Sequence, residues 1–268
     1  MGVVVTDAEV TLTDVLTLRI AADEPIAEGT RLILRQRGTG EERDVVLGTP
    51  GGRVLGALGE AGVAVSLAPL GLAPGRWDAY LESGGSRVRI QSVDPGFSLD
   101  GLDAYALGRR ELAYRAYRTM SGFLAIKIEE AEPVADVRAV WFREGRFEVT
   151  GLLAYTGLDD DDRNRTARLA LRHNDPDATV TVAATVQGVR FHAALSLCDV
   201  LAATPESEGV WEPSLEVDGV DGELPLGARL DDVEGKRRRV HYPQAVVDGV
   251  PITPSFTSDD ELRLEVGT

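Results

Sequence analysis

Ser66-Leu67-Ala68-Pro69-Leu70, followed by Gly75-Arg76-Trp77-Asp78-Ala79-Tyr80-Leu81-Glu82, has a second copy later in the chain. That copy runs Ser196-Leu197-Cys198-Asp199-Val200, then Gly209-Val210-Trp211-Glu212-Pro213-Ser214-Leu215-Glu216. A basic pair or run follows each, Arg109-Arg110 in the first half and Lys236-Arg237-Arg238-Arg239 in the second. Each half then closes on an alternating strand behind a serine turn, Ser121 to Glu129 and Ser258 to Val266. The shared order predicts two copies of one domain, residues 1–133 and 134–268, each near the usual single-domain size of about 100–150 residues. Domains above about 80 residues bury a core without staples. Trp77 and Trp211 hold equivalent places, which assigns both to packing.

Around these blocks the apolar residues recur with period two. Leu16, Leu18 and Ile20 alternate with Thr17 and Arg19; Leu262, Leu264 and Val266 alternate with Arg263 and Glu265. Each run is a half-buried strand. Arg37-Gly38-Thr39-Gly40, Ser83-Gly84-Gly85-Ser86 and Gln187-Gly188 mark turns between such runs. The segment Gly101 to Leu112 is the nearest approach to a helix, and Gly108 with its scattered polarity marks it as a loop with at most one turn. The fold class expected is all-β: two tandem immunoglobulin-like antiparallel β-sandwiches. The crossing from Val63–Leu67 to Arg76-Trp77 resembles the corner where such sandwiches pass from one sheet to the other.

Composition narrows the partners. A formal net charge of −16 opposes nucleic acid and anionic polymers as partners of the whole surface. Arginine far outnumbers lysine, which occurs only as Lys127 and Lys236; with abundant Ala, Gly, Val and Asp this points to a GC-rich, actinobacterial source. One cysteine, Cys198, excludes an intrachain disulfide, and its apolar neighbours place it as a small buried residue. No run approaches the ~20 apolar residues of a membrane span. A soluble, cytoplasmic protein is expected, either free-standing or a piece of a longer chain.

Candidate chemistry is sparse. Asp159-Asp160-Asp161-Asp162 is contiguous where a calcium loop needs staggered oxygens, so it reads as a solvated hairpin tip. His173, His192 and His241 lie on separate strands without metal-ligand spacing, and His192 alternates to face outward. No Gly-x-Ser-x-Gly elbow occurs. No catalytic residue, metal or cofactor is expected. The polar candidates are the basic segments and their aromatic neighbours: Arg109, Arg110 and Tyr117 in one half, Arg237, Arg238 and Tyr242 in the other. They form either an anion- or sugar-contacting face or cations countering Asp231, Asp232 and Glu234. Trp141, in Val140-Trp141-Phe142-Arg143, has no counterpart in the first half and is the candidate interface anchor.

The combination Gly75-Arg76-Trp77-Asp78-Ala79-Tyr80 with Ala116-Tyr117-Arg118-Thr119-Met120-Ser121-Gly122-Phe123-Leu124-Ala125-Ile126-Lys127 resembles the tandem sandwich modules C-terminal to bacterial wall-polymer transferases. These are the teichoic-acid glycosyltransferases and CDP-glycerol glycerophosphotransferases. In the second half the match survives as pattern only, in Trp211 and Glu261 to Val266. The resemblance implies a non-catalytic module for oligomerisation and acceptor placement, a homo-oligomer with a transferase or glycan as partner. This chain departs from those proteins in lacking a strand–Gly-rich-loop–helix nucleotide site. A carbohydrate-binding module is the alternative, and an enzyme with its site between the two halves is the third reading.

Overall fold

The computed structural model describes residues 3–21, 26–57, 60–94, 99–174, 178–231 and 235–267. The protein is mainly β and divides into two compact units, Met1–Tyr105 with Arg110–Ala131, and Ala106–Arg109 with Glu132–Thr268. Asp232 and Glu234 lie outside the described residues.

The first unit contains β1 (Val4–Val10), β2 (Val15–Ala21), β3 (Arg31–Gln36), β4 (Glu42–Val46), β5 (Gly52–Ala57), β6 (Glu60–Ser66), β7 (Gly75–Ser83), β8 (Ser86–Arg89) and β9 (Gln91–Ser92). Helix α1 (Leu99–Ala106), β10 (Leu112–Arg118) and β11 (Leu124–Glu130) follow. One sheet has the order β5-β6-β2-β1-β9, the other β10-β11-β7-β3-β4 with β8 on β7. The buried alternate residues of both sheets meet in one cluster, with Leu16, Leu18 and Val65 from the first against Trp77, Leu34 and Ile126 from the second. Removal of this apolar surface from water is the main stabilising term.

The second unit contains β12 (Val134–Arg143), β13 (Arg146–Ala154), β14 (Asn164–His173), β15 (Thr179–Gln187), β16 (Arg190–Ser196), α2 (Leu197–Ala203), β17 (Gly209–Val217) and β18 (Glu223–Gly227). It ends with α3 (Lys236–Arg239), β19 (Ala245–Val247), β20 (Val250–Phe256) and β21 (Leu262–Val266). Its strands run β14-β15-β16-β13-β12-β18-β17, and β17 returns to β14. This is a closed seven-stranded barrel, not the sandwich expected for residues 134–268. Phe147, Val149, Leu169, Leu171, Phe191 and Leu195 are among its buried alternate residues, as in small barrels whose interior is filled by side chains. β21 adds to β17 at Gly209–Trp211 and continues the sheet through β20 and β19.

Despite this difference the strands around each tryptophan run in the same order, β11-β7-β3 and β21-β17-β14. Trp77 pairs with Gln36 and Ile126, and Trp211 with His173 and Leu264. β1 pairs in parallel with β9, and β12 with β18. The closing turns coincide in detail. The Thr119 N–H donates to Phe123 O and that of Thr257 to Glu261 O, both at 2.8 Å. The Phe123 and Glu261 N–H groups in turn donate to the Thr119 and Thr257 hydroxyls at 3.0 and 3.1 Å.

Closure depends on strand continuity. β15 runs unbroken over Thr179–Gln187 and pairs with both β14 and β16. The equivalent path in the first unit is cut into β4 and β5 by Leu47-Gly48-Thr49-Pro50-Gly51. Proline cannot donate to a ladder, and Gly52 is packed so closely that a Cβ would lie 2.8 Å from Val45. The first unit's sheets therefore stay separate on that side.

Three local expectations are corrected. α1 spans eight residues where a loop was expected. Cys198 is exposed on α2; within a helix its neighbours Leu197 and Val200 take the buried side instead. His241 and Tyr242 precede β19 and are not in a strand.

Asp136 is the buried carboxylate of the second unit. It accepts the backbone N–H groups of Arg229 and Leu230 at 2.8 and 3.0 Å, and Arg138 Nε lies 3.1 Å away. Burial outweighs these contacts and raises its pKa. A raised folded-state pKa means that folding takes up a proton. The resulting stability is full below the unfolded value near 3.9 and is lost as pH rises through the folded value. Asp136→Asn keeps an accepting oxygen without the charge. Relative to this variant, wild-type stability is expected to rise as pH falls from neutrality toward about 4. Urea unfolding of both proteins across that range checks the sign, and a flat difference would refute it.

Candidate functional site

The seven nominated residues divide between the two units. Arg110 and Tyr117 belong to the first unit, and Arg109, Trp141, Arg237, Arg238 and Tyr242 to the second. Arg110 Nη1 donates to Asp14 Oδ1 at 2.6 Å and its guanidinium lies 3.5 Å from the Tyr105 ring centroid. The Tyr105 hydroxyl donates to the same oxygen and accepts the Tyr114 N–H; burial, with the hydrogen bond to Asp14, raises its pKa. Arg110 thus fastens α1 to the β1–β2 turn. Tyr117 is half-buried on β10. Arg109, Arg237 and Arg238 are exposed. Tyr242 is half-buried, its ring 6.0 Å from that of Phe256, and burial raises its pKa. Trp141 is half-buried with the Arg143 guanidinium 4.7 Å from its ring centroid.

Lys236 opens the basic run but is buried, with Nζ 2.7 Å from Asp231 Oδ1. In the acidic run, Asp160 pairs with Arg190 at 2.6 Å and Asp161 with Arg165 at 3.1 Å. His192 is exposed on β16, while the His173 ring packs 4.9 Å from that of Trp211. Among the described residues no grouping of three or more His, Cys, Asp or Glu side chains is placed to hold a metal ion. No helix of the described residues is long and apolar enough to cross a membrane.

The barrel carries a feature that sequence reading missed. An open groove of about 810 Å³ lies along β14, β17 and the turn before β18, lined by Thr166, Arg168, Glu216, Asp218, Val220 and Gly222 among others. Arg168 Nη2 donates to Glu216 Oε2 at 2.5 Å, so this wall is a paired charge. At one end Arg172 binds Glu223; that hydrogen bond is the first cause holding the Glu223 carboxyl below its usual range. Along the outer surface from Thr166 the cross-strand row runs through Thr185 and His192 to Thr150. β15 presents Thr179, Thr181, Ala183, Thr185 and Gln187 outward with no charge among them. In the first unit the positions equivalent to Thr179 and Thr181 are Glu42 and Asp44. The groove draws on strands that meet only through barrel closure, so no local motif announces it.

No family model and no curated protein matches this chain. Among solved structures, the crystal structure of residues 217–571 of S. aureus TarS matches over 73% of this chain and 55% of that one, with 12% identity and a TM-score of 0.36. A longer S. aureus TarS structure matches over 73% of this chain and 35% of its own length, with 13% identity and the same TM-score, 0.36. A pullulanase from Anoxybacillus sp. LM18-11 matches over 80% of this chain and 24% of that one, at 9% identity and a TM-score of 0.25. The chain thus spans well under two thirds of each of these proteins.

Proposed function

We propose that this chain is a non-catalytic accessory module of a cell-wall polymer or glycan transferase, and that it holds a glycan on the outer wall of the barrel. The observation that carries the reading is the row Thr166–Thr185–His192–Thr150, three hydroxyls and an imidazole, beside the open groove. It stands in a chain of which 27% is charged. Threonine hydroxyls both donate and accept, as sugar hydroxyls do. The Arg168–Glu216 pair adds a donor edge without net charge. The two motifs shared with transferase-linked modules supply the transferase as partner.

Trp77 and Trp211 are fully buried, so a binding-induced fluorescence change reports on Trp141. The expected result is such a change with at least one neutral oligosaccharide, chitotetraose and maltotetraose being the first probes. Thr185→Val preserves shape and removes the hydroxyl, and is expected to weaken binding about fivefold, the worth of about one hydrogen bond. Silence across a broad neutral panel rejects the reading.

Assembly into a homo-oligomer is the second reading. One observation favours it: Met120 and Val93 of the first unit are exposed, Val93 at 60%, while the N–H of Ser92, next to Val93, donates at 3.0 Å to the carbonyl of Gly122, two residues after Met120. The apolar side chains thus share one end of that unit. Light scattering that shows only monomer at high micromolar concentration rejects it.

A further inference from the structure

The barrel of the second unit leaves one stretch of strand edge open. β12 pairs with β13 from Val134 to Arg143, yet among the described residues it meets β18 only at Ala135 and Asp136. There the chain after β18 leaves the ladder, and its Arg229 and Leu230 N–H groups donate to the Asp136 carboxylate. A bulge between Val137 and Ala139 follows. Residues 139–143 then run on with no strand of the described residues paired to their outer side. Glu144 and Gly145, both of positive φ, make the two-residue turn to Arg146. In such a turn the flanking residues exchange both ladder bonds, and bonded and non-bonded pairs then alternate. Trp141 and Ala139 therefore bond to β13, while the N–H and C=O groups of Val140 and Phe142 face the open edge.

The side chains of this edge are apolar on both faces. Val140 and Phe142 stand opposite Val149 and Phe147, which are fully buried, but are themselves only half-buried. On the other face Trp141 is half-buried beside Ala139. The first unit blunts the equivalent edge. β1 has the same bulge, between Val5 and Asp7, and a parallel partner at its start. Its Asp7 and Glu9 hold the places of Ala139 and Trp141, and both carboxylates are exposed. The Ala8 N–H, equivalent to that of Val140, donates to Asp94 Oδ2 at 2.7 Å, and β10 packs along β1. In the second unit the strand equivalent to β10 is β20, whose outer edge is taken by β19. Charge on an edge strand and cover over it both keep a sheet from pairing with another chain. Residues 139–142 carry no charge.

We propose that this edge is an interface between two copies of the chain, paired antiparallel about a two-fold axis at Trp141. That register is self-complementary. Val140 of one copy stands opposite Phe142 of the other, so the backbone groups facing the edge meet as hydrogen-bonded pairs. Trp141 meets its own copy on one face, and the Val140–Phe142 pairs continue the apolar face of each barrel on the other. Aromatic and aromatic–β-branched pairs are the favoured cross-strand contacts. Arg143, whose guanidinium lies 4.7 Å from the Trp141 ring centroid, stands opposite Ala139, so no like charges oppose each other. Beyond the paired stretch Glu144 of one copy comes alongside Arg138 of the other, twice by symmetry; both residues are exposed. The pairing is short, at the small end of protein interfaces, so the dimer is reversible and forms at high concentration. It uses neither the groove of the barrel nor the Met120 end of the first unit, and goes beyond both readings above.

The test is sedimentation equilibrium of the full chain from low to high micromolar concentration, with reductant to keep the exposed Cys198 from cross-linking. Salt of about 0.15 M screens the repulsion between two acidic copies. A monomer–dimer equilibrium is expected. Trp141 emission should shift to the blue as dimer forms, because Trp77 and Trp211 are already fully buried. Trp141→Glu and Ala139→Asp each copy the first unit's residue, and each is expected to weaken dimerisation at least about tenfold with the thermal midpoint level. Glu144→Arg, in the exposed turn, is expected to weaken it about threefold. Cross-linking reads the register. In a Cys198→Ser background without reductant, Trp141→Cys should form a disulfide-linked dimer faster than Ala139→Cys, because only residue 141 faces its own copy. Met120→Ser is expected to dimerise as the wild type does. Monomer throughout, a dimer that survives Trp141→Glu, or equal cross-linking of the two cysteine variants overturns the proposal. Assembly lost in Met120→Ser but kept in Trp141→Glu would also overturn it, and would leave the interface at the end of the first unit.

Discussion

Trp211→Ala is expected to cost the second unit about 3–5 kcal/mol, the range for removing a large buried ring. The indole is fully buried, and its loss withdraws more than apolar contact. Trp211 Nε1 donates to the Thr204 hydroxyl at 3.0 Å, and that hydroxyl donates to Val200 O at 2.7 Å. The ring therefore fastens α2 and the turn after it to the strand that carries barrel closure. The His173 ring against its face would be left beside a void. Gly209, two residues earlier, is packed so closely that a Cβ would lie 1.9 Å from His173 Nε2, so the neighbours cannot collapse freely into the gap. Trp77→Ala is expected to cost less, because its N–H donates to the backbone oxygen of Ala73 and no side-chain partner is stranded. Hydrogen exchange separates the two units. In Trp211→Ala, protection should fall in peptides from β14, β17 and β21 while those from β2 and β6 stay as in wild type. A loss of less than about 1 kcal/mol would mean that Trp211 is not the anchor its burial indicates.

The repeat that Trp77 and Trp211 mark was legible because it is written in local chemistry. A glycine of positive φ opens each tryptophan strand, and a threonine-led turn precedes each last strand. The strands themselves follow from alternation, as at Leu262, Leu264 and Val266. Barrel closure was also written in the chain, in the contrast between Thr179-Val180-Thr181-Val182-Ala183-Ala184-Thr185-Val186-Gln187 and the interruption at Pro50-Gly51-Gly52. It was missed because alternation tells which face of a strand is buried, not whether its second edge finds a partner. The helix α1 was missed because Gly101 and Gly108 suppress the local signal; Tyr105, tied to Asp14, holds it by tertiary contact. The candidate sites were less legible still. The groove combines residues from β14, β17 and the turn before β18, which are far apart in sequence. It becomes visible only once register is known.

The basic run at Lys236 shows how the same comparison divides binding from structure. Asp231→Ala is expected to cost about 3 kcal/mol, since it removes the nearer of two carboxylates and leaves the buried ammonium with Asp260 at 4.0 Å. Lys236 is buried with its Nζ 2.7 Å from Asp231 Oδ1 and 4.0 Å from Asp260 Oδ2. Its backbone N–H donates to Asp260 Oδ1 at 3.0 Å, so α3 is held to the last turn through both its backbone and its side chain. Lys236→Met keeps the stem and removes the charge. Asp231, with 35% of its side chain exposed, can then be solvated, so this variant is expected to lose less than about 1 kcal/mol. In Asp231→Ala/Lys236→Met no buried charge is left, and its stability should match that of Lys236→Met. Thermal unfolding of the three variants closes this cycle. If instead Lys236 served with Arg237 and Arg238 as a contact for anions, Asp231→Ala would release it toward solvent and strengthen anion binding with little loss of stability. Equal stability of Asp231→Ala and wild type would therefore move Lys236 from the scaffold to the surface.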